Sequence, residues 1–308
     1  MAEDDPFDRT HRPQVGAPEP LAEGLVAVTA PNAGPMTFTG TRTYLLGRDE
    51  VAVIDPGPDD PDHLDAVAAA LPRGARATAI LVTHAHHDHS EGARALADRL
   101  GAPLVGFGPR LRSAEMERLA AAGGLGGGEG IDAGFAPDRL LADGDAVEGA
   151  GWRLEAVHTP GHLGDHLCFA WAGGGGLFSG DTVMGWATTM ISPPDGDLGA
   201  FLASLRRLRD RPERVYYPGH GGPLHDPRGM IDWQLAHRAA REAQILAALE
   251  RAGPADVPAL VALVYPGLHP ALRPAAGRSV LAHLIDLAAR GLARSDGPLA
   301  ADAKFART

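Results

Sequence analysis

Short apolar runs that stop abruptly at Gly, Pro or Asp recur through the first two thirds of the chain, at residues 25–29, 44–46, 51–54, 78–83, 152–157, 166–171, 177–179 and 214–217. Their length and their content of Val, Ile, Leu and aromatic residues predict β-strands. Segments 61–71, 91–100 and 198–209 instead place Ala and Leu three and four positions apart, with charged residues on the remaining face, and predict amphipathic helices. Strands and helices interleaved in this way predict a mixed α/β domain built in layers. Residues 121–130 contain six glycines, too many for a helix to hold cheaply, and predict a mobile surface loop. A second glycine run, 173–176, suits a turn between two strands.

Beyond residue 227 the pattern becomes helical. Segments 230–250, 255–265 and 278–290 predict three helices, the last with Val280, Leu281, Leu284, Leu287 and Ala288 in register, and no strong strand is expected after them. The first twenty or so residues are rich in Pro, Asp and Glu without apolar periodicity and predict an arm that trails in solvent or lies across the surface. The expected organisation is an arm over 1–22, a principal domain over 23–226, a helical domain over 227–296 and a tail over 297–308. No repeat of fixed period is visible.

Composition narrows the function classes. With 308 residues, 44% of them hydrophobic, the chain can bury a real core, and extended disorder is excluded. A net charge of −11 argues against a general binder of phosphate backbones. The single cysteine, Cys168, forms no internal disulfide and is expected as a small buried hydrophobe. The start Met1-Ala2-Glu3-Asp4-Asp5 lacks the basic and apolar regions of a signal peptide, and no apolar run approaches the ~20 residues that span a bilayer. A cytoplasmic protein with no membrane partner is expected, and a homo-oligomer is compatible with the chain. Fourteen histidines are the unusual feature, and they are clustered.

The densest cluster is Thr83-His84-Ala85-His86-His87-Asp88-His89, four imidazoles and a carboxylate directly past an apolar strand. Polar groups buried without partners cost several kcal/mol each, so such density belongs in solvent or around a metal, and the core-like strand before it disfavours solvent. His84 and His86, two apart on an extended turn, can aim at one ion; Asp88 and His89, at the start of the next helix, can aim at a second. His162, Asp181 and His220 each follow an apolar run on a glycine-containing turn. Successive strand ends of a layered sheet converge on one rim. The ligand count then closes with His84, His86 and His162 on one ion, Asp88, His89 and His220 on another, and Asp181 between them. Nitrogen and oxygen donors without thiolate suit two zinc ions, with manganese or iron as alternatives. Asp55, which ends another strand in Val53-Ile54-Asp55-Pro56-Gly57, is expected behind the ligands, accepting a histidine's second N–H. His87, His158, His166, His225 and His283 are expected as exposed, hydrogen-bonded or packing residues.

The H-x-H-x-D-H run with its downstream His, Asp and His resembles the metallo-beta-lactamase superfamily, over residues 24–223. That resemblance implies a four-layer αββα sandwich with a dinuclear site at one edge of the sheets. The C-terminal segments His237-Arg238-Ala239-Ala240-Arg241-Glu242 and Val280-Leu281-Ala282-His283-Leu284 look like the winged-helix-like extension of the lactamase-beta-2-like branch, some of whose members are reported endoribonucleases. Glyoxalase II and polyketide-type thioesterases are neighbours in the superfamily. Two departures stand out: Arg42 where relatives usually carry Asn, which is expected to alter substrate contact, and Ser90-Glu91-Gly92 in place of Ser-Gly-Gly.

The expected chemistry is hydrolysis by a hydroxide bridging two ions, with Asp181 shared between them and Asp88 both a ligand and a potential proton acceptor. Met184, Trp186, Thr188, Thr189 and Met190 follow Asp181 and are expected to overhang the metals as a substrate loop, with Arg42 and His237 as further substrate contacts. An ester, thioester or lactone is the first expectation for substrate. The second is single-stranded RNA, motivated by the arginine-bearing tail but weakened by Lys304 being the only lysine. The third, a non-catalytic metal-binding scaffold, is disfavoured because structural zinc is usually closed by four protein ligands.

Overall fold

The computed structural model describes residues 5–108 and 112–308. The first four residues of the acidic start lie outside the described residues. In chain order the elements are β1 (Pro18–Ala22), β2 (Leu25–Thr29), β3 (Arg42–Gly47), β4 (Glu50–Ile54), α1 (Pro61–Ala69), β5 (Arg76–Leu81), α2 (His87–Ser90), α3 (Ala93–Leu100), β6 (Leu104–Gly106), α4 (Ala114–Ala122), β7 (Arg139–Leu140), β8 (Ala146–Gly149), β9 (Trp152–His158), β10 (Leu167–Ala172), β11 (Gly176–Gly180), α5 (Leu198–Arg209) and β12 (Val215–Pro218). The C-terminal part adds α6 (Pro227–Ala252), α7 (Val257–Val264), α8 (Arg273–Ala289), β13 (Ala293–Ser295) and β14 (Phe305–Arg307). Among the described residues no helix is long and apolar enough to cross a membrane.

Strands β1 to β7 form one sheet in sequence order, and β12-β11-β10-β9-β8 form a second. The side-chain period of two decides which layer each residue joins. On β4, Ala52 and Ile54 face the second sheet, where they meet Leu154, Phe169, Phe178 and Tyr217 in a core between the sheets. Val51 and Val53 point the other way, onto Leu64 and Val67 of α1 and Leu96 of α3. The second sheet's outer face, with Cys168, Ala170 and Leu177, packs on Phe201 and Leu205 of α5 and Ile231 of α6. The result is the expected αββα sandwich, and Cys168 is buried in it. Aspartates start several helices: the side chains of Asp60, Asp197, Asp226 and Asp256 each accept a backbone N–H from the first turn that follows.

Helix α6 joins two cores. Met230 and Ile231 pack on the second sheet, whereas Ile245, Ala248 and Leu249 pack with α4, α7 and α8 around Val280, Leu284 and Phe305. Two expectations change in this region. The chain after residue 227 does hold strands, because β13 and β14 pair antiparallel, Ser295 opposite Phe305. Phe305 is fully buried and exchanges backbone hydrogen bonds with Ala255, so the segment expected as a tail closes the C-terminal core. Strands of three residues carry too few positions to show a period.

The described part of the N-terminal arm, residues 5–22, lies across the surface, and its last five residues are the edge strand β1, with Glu19 opposite Ala27. Here Arg42 departs from its expected substrate contact. Its side chain is fully buried, donates to Thr29 Oγ1 at 2.7 Å and pairs with Glu19 Oε2 at 2.7 Å. The contact with Glu19 lacks hydrogen-bond angles, so it acts as a Coulombic pair. A buried guanidinium needs this counter-charge. Because Glu19 is itself partly exposed, Glu19→Ala is expected to lower stability by about 2 kcal/mol, less than the cost of stranding a fully buried ion. Urea unfolding measures it, and Arg42→Met in the Glu19→Ala background is expected to recover most of the loss.

Candidate metal centre

Strands β4 and β5 run parallel, as do β11 and β12; β9 and β11 are both antiparallel to β10. The C-terminal ends of β9, β11 and β12 therefore leave the second sheet on one side, and those of β4 and β5 leave the first sheet beside them. Two backbone links hold the rims together: Arg42 N–H donates to Gly219 O at 2.8 Å, and Leu167 N–H donates to Thr83 O at 2.7 Å. The turns at these ends carry His84, His86, Asp88 and His89 after β5, His162 after β9, Asp181 after β11 and His220 after β12. All seven converge.

Donor atoms of His84, His86 and His162 gather in one group and those of Asp88, His89 and His220 in another, each group lying within 4.8 Å; His84, His89 and Asp181 form a third that overlaps both. His86 Nδ1 lies 2.9 Å from His84 Nε2 and 3.0 Å from His162 Nε2. His220 Nε2 is 3.2 Å from Asp88 Oδ2 and 3.5 Å from Asp181 Oδ2, and that same Asp181 oxygen is 3.7 Å from His162 Nε2. Asp181 thus stands between the two groups.

The far nitrogens of the rings decide what the near ones present. His89 Nδ1 meets Asp55 Oδ2 at 2.9 Å, His162 Nδ1 meets Met190 O at 2.8 Å and His220 Nδ1 meets Gly40 O at 3.4 Å. Those oxygens only accept, so each Nδ1 carries the proton. Thr83 Oγ1 donates to Asp55 Oδ2 at 2.9 Å and so accepts from His84 Nδ1 at 3.0 Å. Four rings consequently turn Nε2 inward, as a lone pair on His84 and His162, whose burial keeps them neutral. Lone pairs facing one another at hydrogen-bond distance repel unless a cation or a proton lies between them. Buried His89 Nε2 and Asp181 Oδ1 have no hydrogen-bond partner among the described residues. Nitrogen and carboxylate donors so arranged fit a divalent cation.

Electrostatics divides the cluster. Burial holds His84 and His162 below the usual imidazole range and His86 at about 3. For His220 burial is outweighed by Asp181 and Asp88, which raise it to about 9; Asp88, Asp181 and Asp55 likewise outweigh burial to raise His89.

The surroundings are built to hold these rings. Asp55 sits behind the histidine cluster, where its Oδ1 also accepts from Thr83 N–H at 2.7 Å, and its φ of +52° is a left-handed strain that an aspartate tolerates better than most residues. His166, expected as a hydrogen-bonded strand residue, accepts from Asp181 N–H at Nε2, 3.1 Å away, while its Nδ1 lies 2.9 Å from Thr159 Oγ1. It fixes the backbone that carries Asp181. Asp165, which sequence reading passed over, accepts from Ala85 N–H at 3.1 Å, and burial raises its carboxyl to about 7. Glycine is demanded at Gly219, where a Cβ would lie 2.5 Å from His89 Cε1 and 2.6 Å from Asp181 Oδ1.

A cavity of about 580 Å³ opens onto the donors, lined by His86, Asp88, His162, Asp181 and His220 on one side and by Met36, Leu163 and Met190 on another. Pro274, Ala275 and Arg278 of α8 close it. Met184, Trp186, Thr188 and Thr189, expected to overhang the metals, do not line this cavity. Met184 is buried, Trp186 stacks on Phe38 at 5.0 Å, and Thr188 is half-buried. Thr189 Oγ1 donates to Asp181 O at 2.7 Å, while its own carbonyl accepts from Arg238. Of the loop expected over the metals, Met190 alone lines the cavity, joined by Ser192 and Asp195 further along the chain. His237 is also outside, stacked on Trp233 at 4.9 Å. The glycine-rich segment expected to be a mobile surface loop is pinned instead: Gly130 O accepts from His87 N–H at 2.8 Å, and Glu129 pairs with Arg278 at 2.7 Å.

Comparison with known proteins agrees with this architecture. The family model for the metallo-beta-lactamase superfamily matches residues 36–220, and that for the beta-lactamase associated winged helix domain matches residues 257–301. An atrochrysone carboxyl ACP thioesterase of Aspergillus terreus is 30% identical over 243 residues, 78% of this chain and 68% of that protein. A protein of the same description from Paecilomyces divaricatus is 32% identical over 235 residues, 76% of this chain and 67% of that one. A metallo-beta-lactamase family protein of Thermus thermophilus superposes with a TM-score of 0.71 at 28% identity, covering 93% of this chain and 99% of that one. The chain therefore belongs to the metallo-beta-lactamase superfamily of hydrolases and carries the associated winged helix domain behind its αββα sandwich.

Proposed function

We propose that the protein hydrolyses an acyl thioester with two divalent cations, most simply zinc. His84, His86 and His162 would hold one cation, Asp88, His89 and His220 the other, with Asp181 between them. The observation that carries this reading is the convergence of these nitrogen and carboxylate donors at one rim, with buried His89 Nε2 and Asp181 Oδ1 lacking a hydrogen-bond partner among the described residues. The thioester assignment draws on the printed names of the two fungal relatives and on the apolar wall of Met36, Leu163 and Met190 beside the donors.

When bound, divalent cations make water nucleophilic near neutral pH and polarise a carbonyl under attack. Hydrolysis then forms a C–O bond from water and breaks the C–S bond, giving a carboxylate and a thiol. Asp88 keeps 28% of its side chain exposed and lines the cavity, and is placed to take up the proton that water loses. Asp55 and His166 orient His89 and Asp181. Among the described residues, Arg278 is the only arginine or lysine lining the cavity, and it is paired with Glu129, while Asp88, Glu129, Asp181 and Asp195 line the same space. A polyanionic RNA strand finds little counter-charge there, so the RNA expectation gains no support.

His86→Ala is expected to remove bound metal and at least 99% of thioester turnover together while leaving the far-ultraviolet circular dichroism intact; retained turnover in metal-free variant protein would refute the metal mechanism. Asp55→Ala, which touches no proposed substrate position, is expected to weaken metal affinity or turnover by roughly 10- to 100-fold. Metal uptake should also release protons. His220 and His89, raised by their carboxylate neighbours, are protonated at pH 7 in the protein alone and must lose those protons to bind a cation, so affinity rises with pH up to about 9. Zinc titration calorimetry in two buffers of different ionisation enthalpy reads this directly: equal apparent enthalpies would contradict it.

A further inference from the structure

We infer that the apolar groove of the C-terminal domain is the binding site for the acyl group of the substrate, a deepening that rests on the thioesterase reading. The groove has a volume of about 790 Å³ and runs between α7 and α8, floored by Val257, Val261, Tyr265, Leu268 and Leu281. It is large enough for a long-chain or polycyclic acyl group. It also adjoins the catalytic cavity: Pro274 and Arg278 line both spaces, and the glycine segment passes from one to the other at Gly126 and Gly127. A thioester whose carbonyl lies at the metal donors has two substituents to place. The carrier side of a pantetheine-type thioester is rich in amides, whereas the acyl side is the one whose transfer from water into an apolar groove is favourable.

Gly277 supplies a separate observation. It lies within α8 and lines the groove, although glycine inside a helix is unfavourable relative to alanine. Nothing in its backbone requires glycine, since its φ is not left-handed, and a Cβ there would meet only Val257 Cγ1 at 3.6 Å, an ordinary contact. What the missing side chain leaves is room in the groove. At the far wall the Arg241 guanidinium lies 4.2 Å above the Tyr265 ring and holds it in place. At the junction Arg278 donates to Ser192 Oγ at 3.0 Å and pairs with Glu129, so the wall shared by the two spaces is built from both domains.

The test uses the full-length, zinc-loaded protein and N-acetylcysteamine thioesters of acetyl, hexanoyl, octanoyl and 2-naphthoyl groups, which share one thiol and differ only in the acyl part. The value of kcat/KM is expected to rise about a hundredfold from acetyl to octanoyl. Gly277→Leu, which plugs the groove, is expected to reduce that selectivity ratio at least tenfold, with Gly277→Ala falling between and melting no lower than wild type. Ala262→Trp, at an exposed lining position of α7, provides a second plug should Gly277→Leu fail to fold. Uniform turnover of all acyl lengths, or a selectivity ratio unmoved by either plug in folded protein, overturns the groove assignment and leaves the thioesterase reading standing. Absence of turnover on every thioester overturns both.

Discussion

Five imidazoles and two carboxylates brought to one rim repel or strand one another unless positive charge is supplied among them, and the rest of the structure is organised around that requirement. Four of the five rings are oriented by what the outer nitrogen donates to: Asp55 for His89, Met190 O for His162, Gly40 O for His220 and Thr83 for His84. These acceptors come from turns of the first sheet and from the loop after Asp181. A change in any of them turns a lone pair away from the cluster and leaves a buried polar atom without compensation.

The sandwich makes this convergence cheap. Parallel pairing of β4 with β5 and of β11 with β12 sends their turns out on the same side, and the short backbone links from Arg42 to Gly219 and from Leu167 to Thr83 keep the two rims in register. Buried charge elsewhere serves the same frame. Arg42, at the first residue of β3, reaches Glu19 on β1 across β2, so a strand that would otherwise be a loose edge is tied to the sheet that carries the histidine turn. The C-terminal domain completes the enclosure, since α6 is shared by two cores and α8 forms one wall of the cavity.

Much of this was legible in the chain. Continuous apolar runs ending at glycine, proline or aspartate located the central strands because those strands are covered on both faces, and the order of His84, His86, Asp88, His89, His162, Asp181 and His220 announced the cluster because such residues rarely follow successive strands by chance. Of the substrate side, Met190 was legible and little else. Proximity in sequence to Asp181 also pointed to Trp186 and Thr189, yet one stacks on Phe38 and the other braces Asp181, while the cavity is walled by Met36, Leu163, Pro274, Ala275 and Arg278 as well as Met190. Those neighbours meet only after two domains have packed, and no local pattern encodes that. Arg42 reads as a surface cation until β1 brings Glu19 to it, and β13 and β14 are too short to show a period.

The account stands on two cations being held by these seven side chains. Anomalous diffraction collected on either side of the zinc absorption edge, from crystals grown with the zinc-loaded protein, tests that most directly. The account predicts two edge-dependent peaks, one among His84, His86 and His162 and one among Asp88, His89 and His220, with the Asp181 carboxylate between them. No peak at the rim, or zinc bound only elsewhere on the surface, would contradict it.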